Sequence, residues 1–91
     1  MDKYTDKIIP ILKKYGVSRA SLFGSIVTGK MTNTSDIDIL VQMPSGSSLF
    51  DILRIKVDLE EHLDREVDLV QYKAIKDSLK KEILSSQLSI L

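Results

Sequence analysis

Residues 22–42 of this 91-residue chain read LFGSIVTGKMTNTSDIDILVQ, two apolar runs joined by a short polar segment. The first run ends at Gly24 and Ser25, and the second opens with Asp36 and Asp38. Side chains two residues apart on a strand leave the same face, so the two aspartates are placed to share divalent cations. Gly24 has no Cβ, so its backbone can approach an anion closely, and Ser25 adds a hydroxyl. The stretch therefore predicts a phosphate-binding turn beside a metal site.

Charge and composition limit the functions that the chain can serve. Acidic and basic residues balance at 13 each, so no overall field draws the protein to nucleic acid or to an anionic membrane. Cysteine is absent, which leaves carboxylate oxygens as the main metal ligands and favours Mg²⁺ or Mn²⁺. The sequence has neither a signal peptide nor an apolar run of the ~20 residues that span a bilayer. We therefore expect a cytoplasmic protein that binds neither membrane nor nucleic acid.

Hydrophobic periodicity predicts one small domain over residues 1–91. The predicted helices cover about 6–15, 25–29, 49–64 and 74–84, and the predicted strands cover 17–23, 36–42 and 66–70. Pro10 fits best in the first turn of the first helix. The connection between the first two strands is brief, which favours an antiparallel pair. The expected fold is thus α+β in two layers, with a small mixed three-stranded sheet covered by helices.

Two apolar features lie outside the predicted strands. The third helix carries two interleaved stripes, Leu49-Leu53-Val57 and Ile52-Ile55-Leu59-Leu63. Together they predict a helix that is buried broadly across the sheet. Apolar residues also recur at the end of the chain, at Leu88, Ile90 and Leu91. Such a tail either folds back onto its own core or pairs with another chain.

The spacing of the acidic residues carries a resemblance to a known family. Gly24-Ser25, ten intervening residues and then Asp36-Ile37-Asp38 in an apolar run resemble the signature of the DNA polymerase beta-like nucleotidyltransferases. Asp68, in a Val-Asp-Leu-Val segment after the third helix, matches the third acid of that family. The short chain is similar to the minimal nucleotidyltransferase family. The resemblance implies a nucleotidyltransferase that moves AMP from ATP onto a hydroxyl.

The resemblance also implies how the three acids act. Asp36 and Asp38 would coordinate the Mg²⁺ or Mn²⁺ ion that is bound to the triphosphate. Asp38 and Asp68 would flank a second ion and the attacking hydroxyl, in the manner of two-metal sites. Asp68 is also the candidate base for that hydroxyl. All three are therefore expected to be both catalytic residues and metal ligands.

The nucleotide-binding residues follow from the same resemblance, with one departure. Gly24 and Ser25 would hold the β- and γ-phosphates, and Lys30 and Ser35 are further candidates. Family members commonly carry arginines shortly after Gly-Ser, whereas Ile26 and Thr28 occupy those places here. A triphosphate bound without arginine relies more on the metal and on main-chain amides.

Two classes of function remain open. In the first, the chain is an enzyme that adenylylates a partner protein. In the second, it is a catalytically weak or inactive nucleotide-binding module that neutralises its partner by binding. The three acids favour the enzyme, and Ile26 and Thr28 favour the module. Transfer to a small molecule is less favoured, because so short a domain has few walls to enclose a substrate.

The partner also follows from the resemblance. Small members of the family are paired with HEPN-domain proteins as the antitoxins of toxin–antitoxin systems, and they can neutralise the toxin by adenylylating a tyrosine. We therefore expect a HEPN-type partner protein, a second copy of this chain, or both.

Overall fold

Four helices and four strands make up the computed structural model, which describes residues 3–30, 32 and 35–91. In chain order they are α1 (Lys3–Lys14), β1 (Arg19–Phe23), α2 (Ser25–Thr28), β2 (Ile37–Gln42), α3 (Leu49–Leu63), β3 (Val67–Gln71), α4 (Asp77–Ser85) and β4 (Leu88–Ser89). A single 3₁₀ turn, Tyr72–Ala74, leads from β3 towards α4. None of the helices within the described ranges is long and apolar enough to cross a membrane.

The sheet is mixed, with the strand order β3-β2-β1-β4. β1 runs antiparallel to β2, with Phe23 opposite Asp38. β2 runs parallel to β3, with Asp38 opposite Asp68. The predicted α+β fold with a mixed sheet is confirmed, and the antiparallel first pair with it.

The number of strands was predicted wrongly, because the C-terminal tail adds a fourth. Leu88 and Ser89 pair antiparallel with β1. Beyond them, the Ile90 amide donates to the Ala20 carbonyl at 3.0 Å, and the Ala20 amide donates to the Leu91 carbonyl at 3.2 Å. Ile90 and Leu91 also pack against the core. The tail therefore folds back onto its own chain, and a strand of two residues is too short to show a period of two in the sequence.

Helices α1 and α3 cover one face of the sheet and enclose the core. The buried apolar residues that form this core are Ile8, Ile11, Leu12, Val17, Ala20, Leu22, Ile37, Ile39, Val41, Ile55, Leu59, Leu63 and Val67. Alternation along β2 sends Ile37, Ile39 and Val41 into this core, so the side chain of Asp38 leaves the opposite face.

Helix α1 starts earlier than the sequence suggested. It begins at Lys3 rather than near Asp6, so Pro10 lies inside the helix and not in its first turn. Proline removes a donor from the helix, which leaves the Asp6 carbonyl without its usual partner. Both Asp6 and Pro10 are exposed, so water can satisfy that carbonyl, while Ile8 and Leu12 on the other face are fully buried.

Helix α3 differs from its prediction in how much of it is buried. Its start at Leu49 is confirmed, and the Ser48 amide donates to Asp51 Oδ2 at 2.8 Å in a capping box. Only Ile55, Leu59 and Leu63 are buried, however, and the stripe of Leu49, Leu53 and Val57 faces outward. A helix that rests on one face of a two-layer fold contacts the core along one side only.

Candidate active site

Three carboxylates meet where β2 and β3 begin. Asp38 and Asp68 lie opposite each other on these neighbouring parallel strands, whose spacing is about 4.8 Å. Asp36 lies one residue before β2 and two before Asp38, and it is close enough for its charge to raise the pKa of Asp38. The fold therefore brings together all three acids that were predicted from the sequence.

The charges of these acids affect one another. The pKa of Asp38 is raised from 3.8 to about 6, first by burial and then by the neighbouring charges of Asp68 and Asp36. The ion pairs found within the described ranges belong to Asp58, on the other side of the molecule, and none involves the three acids. The three acids are therefore not neutralised by an ion pair with any residue in the described part of the chain.

Carboxylates are suitable ligands for a hard divalent ion, but the three side chains do not form a complete coordination site. Within residues 3–30, 32 and 35–91, no three His, Cys, Asp or Glu side chains already stand at metal-binding distances. Like charges in one cleft repel, so carboxylates are held further apart when no cation lies between them. Uncompensated carboxylate oxygens are the ligands that Mg²⁺ and Mn²⁺ favour. Metal binding by Asp36, Asp38 and Asp68 stays a prediction that this arrangement fits.

Gly24 lies directly against the Asp38 carboxylate. Its φ of 75° is in the left-handed region, which favours glycine. A Cβ built on Gly24 would overlap Asp38 Oδ2 and stand 3.2 Å from Asp38 Cγ. The turn that was predicted to hold phosphates and the carboxylate that was predicted to hold metal therefore lie against each other, and a side chain at residue 24 would displace that carboxylate.

Ser25 opens the one-turn helix α2. Its carbonyl accepts a hydrogen bond from the Lys30 amide at 3.2 Å, and its side chain is half-buried beside Gly24. Ile26 and Val27 fix this turn by packing against the core, whereas Thr28 is exposed. Lys30 is exposed just beyond the helix. The described residues between Ser25 and Gly29 thus supply no cation, and nucleotide binding by Ser25 and Lys30 stays a prediction.

Ser35 has a structural contact that the sequence did not indicate. The Thr32 amide donates to Ser35 Oγ at 2.8 Å, and the two hydroxyl oxygens lie 3.0 Å apart. These bonds close the loop just before Asp36. Nucleotide binding by Ser35 stays a prediction, and in this structure its hydroxyl already serves the loop.

Arg65 is a residue that sequence reasoning missed. Its Nη2 donates to the carbonyl oxygens of Thr32 and Ser35, the latter at 2.9 Å, and its Nη1 donates to the Tyr4 hydroxyl at 3.2 Å. The guanidinium therefore ties the loop that precedes Asp36 to helix α1. No local pattern marks such a residue, because its partners are backbone carbonyls about thirty residues earlier in the chain.

Comparison with known proteins agrees with this geometry. The profile of the family described as "Polymerase beta, Nucleotidyltransferase" matches residues 6–91. MJ0435 of Methanocaldococcus jannaschii, provisionally named a protein adenylyltransferase, is 51% identical over 85 residues, which are 93% of this chain and 91% of that protein. The protein adenylyltransferase MntA of Thermococcus cleftensis is 35% identical over 79% of this chain and 73% of its own length.

A solved structure extends the comparison to three dimensions. The crystal structure of a toxin-antitoxin with AMP-PNP contains a chain that superposes with a TM-score of 0.84 at 26% identity, over 96% of this chain and 72% of that one. Its match rests on the same fold that places Asp38 beside Asp68. The chain belongs to the polymerase beta-type nucleotidyltransferase family.

Proposed function

We propose that this chain transfers AMP from ATP to a hydroxyl of a partner protein, as the antitoxin of a pair whose toxin is of the HEPN type. The observation that carries the proposal is the contact between Gly24 and the Asp38 carboxylate, with Asp68 on the next strand. This contact supports the proposal because the turn that would bind the phosphates lies directly against one of the acids that would bind the metal. The relatives named as adenylyltransferases, and the AMP-PNP in the similar toxin-antitoxin structure, support the choice of ATP.

The residues of the chain take distinct parts in this reaction. The backbone at Gly24 and the Ser25 hydroxyl hold the β- and γ-phosphates, and Lys30 adds a cation at the mouth of the cleft. An acceptor hydroxyl attacks the α-phosphorus, a new phosphorus–oxygen bond forms, and the bond to the leaving pyrophosphate breaks. The Asp68 carboxylate accepts the proton of the hydroxyl.

Asp36, Asp38 and Asp68 would hold Mg²⁺ or Mn²⁺. Two such ions would neutralise the charge that develops on the entering and the leaving oxygens. None of the ion pairs among the described residues involves the three acids, and Lys30 alone would not neutralise them, so ATP would enter with its metal. Metal dependence is therefore part of the proposal.

A second candidate is a module that binds ATP weakly and neutralises its partner by contact alone. Ile26 and Thr28 favour this module, because they occupy positions where the family commonly has arginines. Ile26 also packs against the core. Removing bidentate phosphate contacts weakens triphosphate binding. The two candidates differ in whether a phosphorus–oxygen bond is made.

Labelled transfer separates these candidates. The chain is co-expressed with a HEPN-type toxin, and ATP labelled at its α-phosphate is supplied with Mg²⁺. We expect the label on the toxin with the wild type and with Asp77→Asn, an exposed acid-to-amide control on α4. Asp68→Asn should lower the transfer by about 100-fold or more, the lower range for loss of a general base. A wild type that restrains the toxin without labelling it would refute the enzyme and leave the module.

A further inference from the structure

Helix α3 exposes a continuous apolar face. Four large side chains are uncovered: Leu49 is 76% exposed, Phe50 74%, Leu53 54% and Val57 54%. They follow one another by one, three and four positions, so they lie along the same side of the helix. We call these four residues the α3 stripe. The buried side chains of the same helix point the other way, into the core.

The α3 stripe is large for a domain of this size. Its side chains expose on the order of 500 Å² together, which is comparable with the largest apolar patch on an ordinary monomer. A standard interface uses roughly 800 Å² of each partner, and a little more than half of that is apolar. The α3 stripe therefore matches the apolar share of one side of a stable interface.

A groove lies between the α3 stripe and the end of α1. Lys14 and Tyr15, at the end of α1, line one side of this groove, which is open to solvent and has a volume of about 560 Å³. The polar groups of this wall are satisfied internally: Lys14 Nζ lies 3.0 Å from Asp58 Oδ2, and the Tyr15 hydroxyl donates to the same oxygen at 2.8 Å. An apolar side chain can enter the groove without breaking these bonds.

The position of the stripe indicates which kind of protein covers it. Helix α3 packs on the core face of the sheet, whereas the Asp38 side chain leaves the opposite face. A protein substrate seated on the stripe would have its acceptor hydroxyl on the wrong side of the domain, with a helix layer and the sheet, each roughly 10 Å thick, in between. A second copy of the chain needs no access to the carboxylates.

The stripe is also complementary to itself. In an antiparallel pair of α3 helices with the two-fold axis at Leu53, each Leu49 faces the other copy's Val57, since both lie four residues from the axis. Each Phe50 then reaches the groove beside the other copy's Tyr15. The groove carries two charges of each sign, with Lys14 and Arg54 against Asp58 and Glu61, so each of the two identical surfaces has no net charge. Such isologous contacts are the commonest way in which soluble proteins form dimers.

We propose that the chain forms a two-fold dimer through the α3 stripe, with the two α3 helices antiparallel and both carboxylate clefts facing outward. The dimer leaves each cleft free for its own partner protein. It does not depend on the transfer reaction, so it can be tested whether or not the chain proves to be an enzyme.

The first test measures mass in solution. The wild type at about 100 µM, a concentration at which micromolar dimers are full, should sediment at twice its mass of 10.3 kDa. Leu53→Glu should sediment at 10.3 kDa with an unchanged circular dichroism spectrum, because Leu53 is half-exposed and outside the core. The matched control is Leu79→Glu on α4, where the leucine is 47% exposed but not in the stripe. A monomeric wild type, or equal dissociation by both variants, overturns the proposal.

The second test fixes the geometry. The chain has no cysteine, so Leu53→Cys introduces a single thiol at the proposed axis. Under mild oxidation it should form a disulfide-linked dimer, whereas Leu79→Cys should not. If Leu53→Glu instead abolishes binding of a HEPN-type toxin by a wild-type chain that is monomeric on its own, the stripe belongs to the toxin and the dimer is refuted.

Discussion

Replacing Asp38 by asparagine should stabilise the metal-free protein while removing its response to magnesium. Burial, and after it the charges of Asp68 and Asp36, together raise the pKa of Asp38 from 3.8 to about 6. A carboxylate with a raised pKa destabilises the fold at neutral pH, since the folded state must hold a charge that it disfavours. Asparagine keeps the shape of the side chain and removes that charge.

The size of the effect follows from the shift. At about 1.4 kcal/mol for each pKa unit, the change from 3.8 to about 6 sets an upper bound of about 3 kcal/mol. Asp38 is only half-buried, so solvent screening reduces this to about 1–2 kcal/mol. For a domain of this length, each kcal/mol raises Tm by about 4–8 °C.

The pH dependence has a definite sign. Between pH 3.8 and about 6 the folded state binds a proton that the unfolded state has released, so the contribution of Asp38 to stability rises as pH falls through this window. Above pH 6 both states are ionised and the full destabilisation is present. Asp38→Asn should lack this slope and should exceed the wild type most clearly at pH 7.5.

Thermal unfolding in EDTA from pH 4 to 7.5, repeated with Mg²⁺ and ATP, measures both effects. Mg²⁺ with ATP should raise the Tm of the wild type and leave that of Asp38→Asn unchanged. Asp58→Asn is the matched control, with the opposite expected effect on stability. Hydrogen bonds from Lys14 and Tyr15 lower the pKa of Asp58, so removing this carboxylate should destabilise the protein at pH 7.5. An Asp38→Asn protein that is less stable than the wild type in EDTA would show that the carboxylate is structural.

Three further changes test the surroundings of the cleft. Gly24→Ala should weaken both Mg²⁺ and ATP binding at least tenfold, because its Cβ displaces the Asp38 carboxylate; Gly46→Ala, equally left-handed but in open space, should weaken neither. Arg65→Lys should lower stability by about 1–3 kcal/mol and raise the Mg²⁺ concentration for half-maximal transfer, since charged hydrogen bonds to the loop are lost. Deleting residues 88–91 should lower stability by about 2 kcal/mol because apolar burial is lost, and it should leave the oligomeric state unchanged.

The local chemistry of the site could be read from the sequence because it rests on neighbours along the chain. Asp36 and Asp38 are two residues apart, and Gly24 ends an apolar run, so strand alternation and glycine geometry were enough to place them. Asp68 needed the family resemblance as well, because nothing in Val-Asp-Leu-Val itself says which strand it will join. The parallel pairing with β2 is what gives it a place beside Asp38.

The features that sequence reasoning missed depend on contacts between distant residues. Arg65 meets backbone carbonyls, which have no sequence signature. Strand β4 is defined by its pairing with β1 rather than by its own pattern. The two stripes of α3 are equally apolar in the sequence, and only the packing of α1 and β3 around the helix decides that one is buried and the other exposed.

The contact between Gly24 and Asp38 links the two halves of the site energetically. A Cβ at residue 24 would overlap the Asp38 carboxylate, so the turn proposed for the phosphates and the acid proposed for the metal depend on the same contact. A cation bound by the three acids would offset the charges of Asp68 and Asp36, which contribute to the raised pKa of Asp38. It would also hold the Asp38 carboxylate beside the turn that is proposed to bind the triphosphate. Each ligand thereby prepares the position of the other. Because such coupling is reciprocal, Mg²⁺ should tighten ATP binding by the same factor by which ATP tightens Mg²⁺.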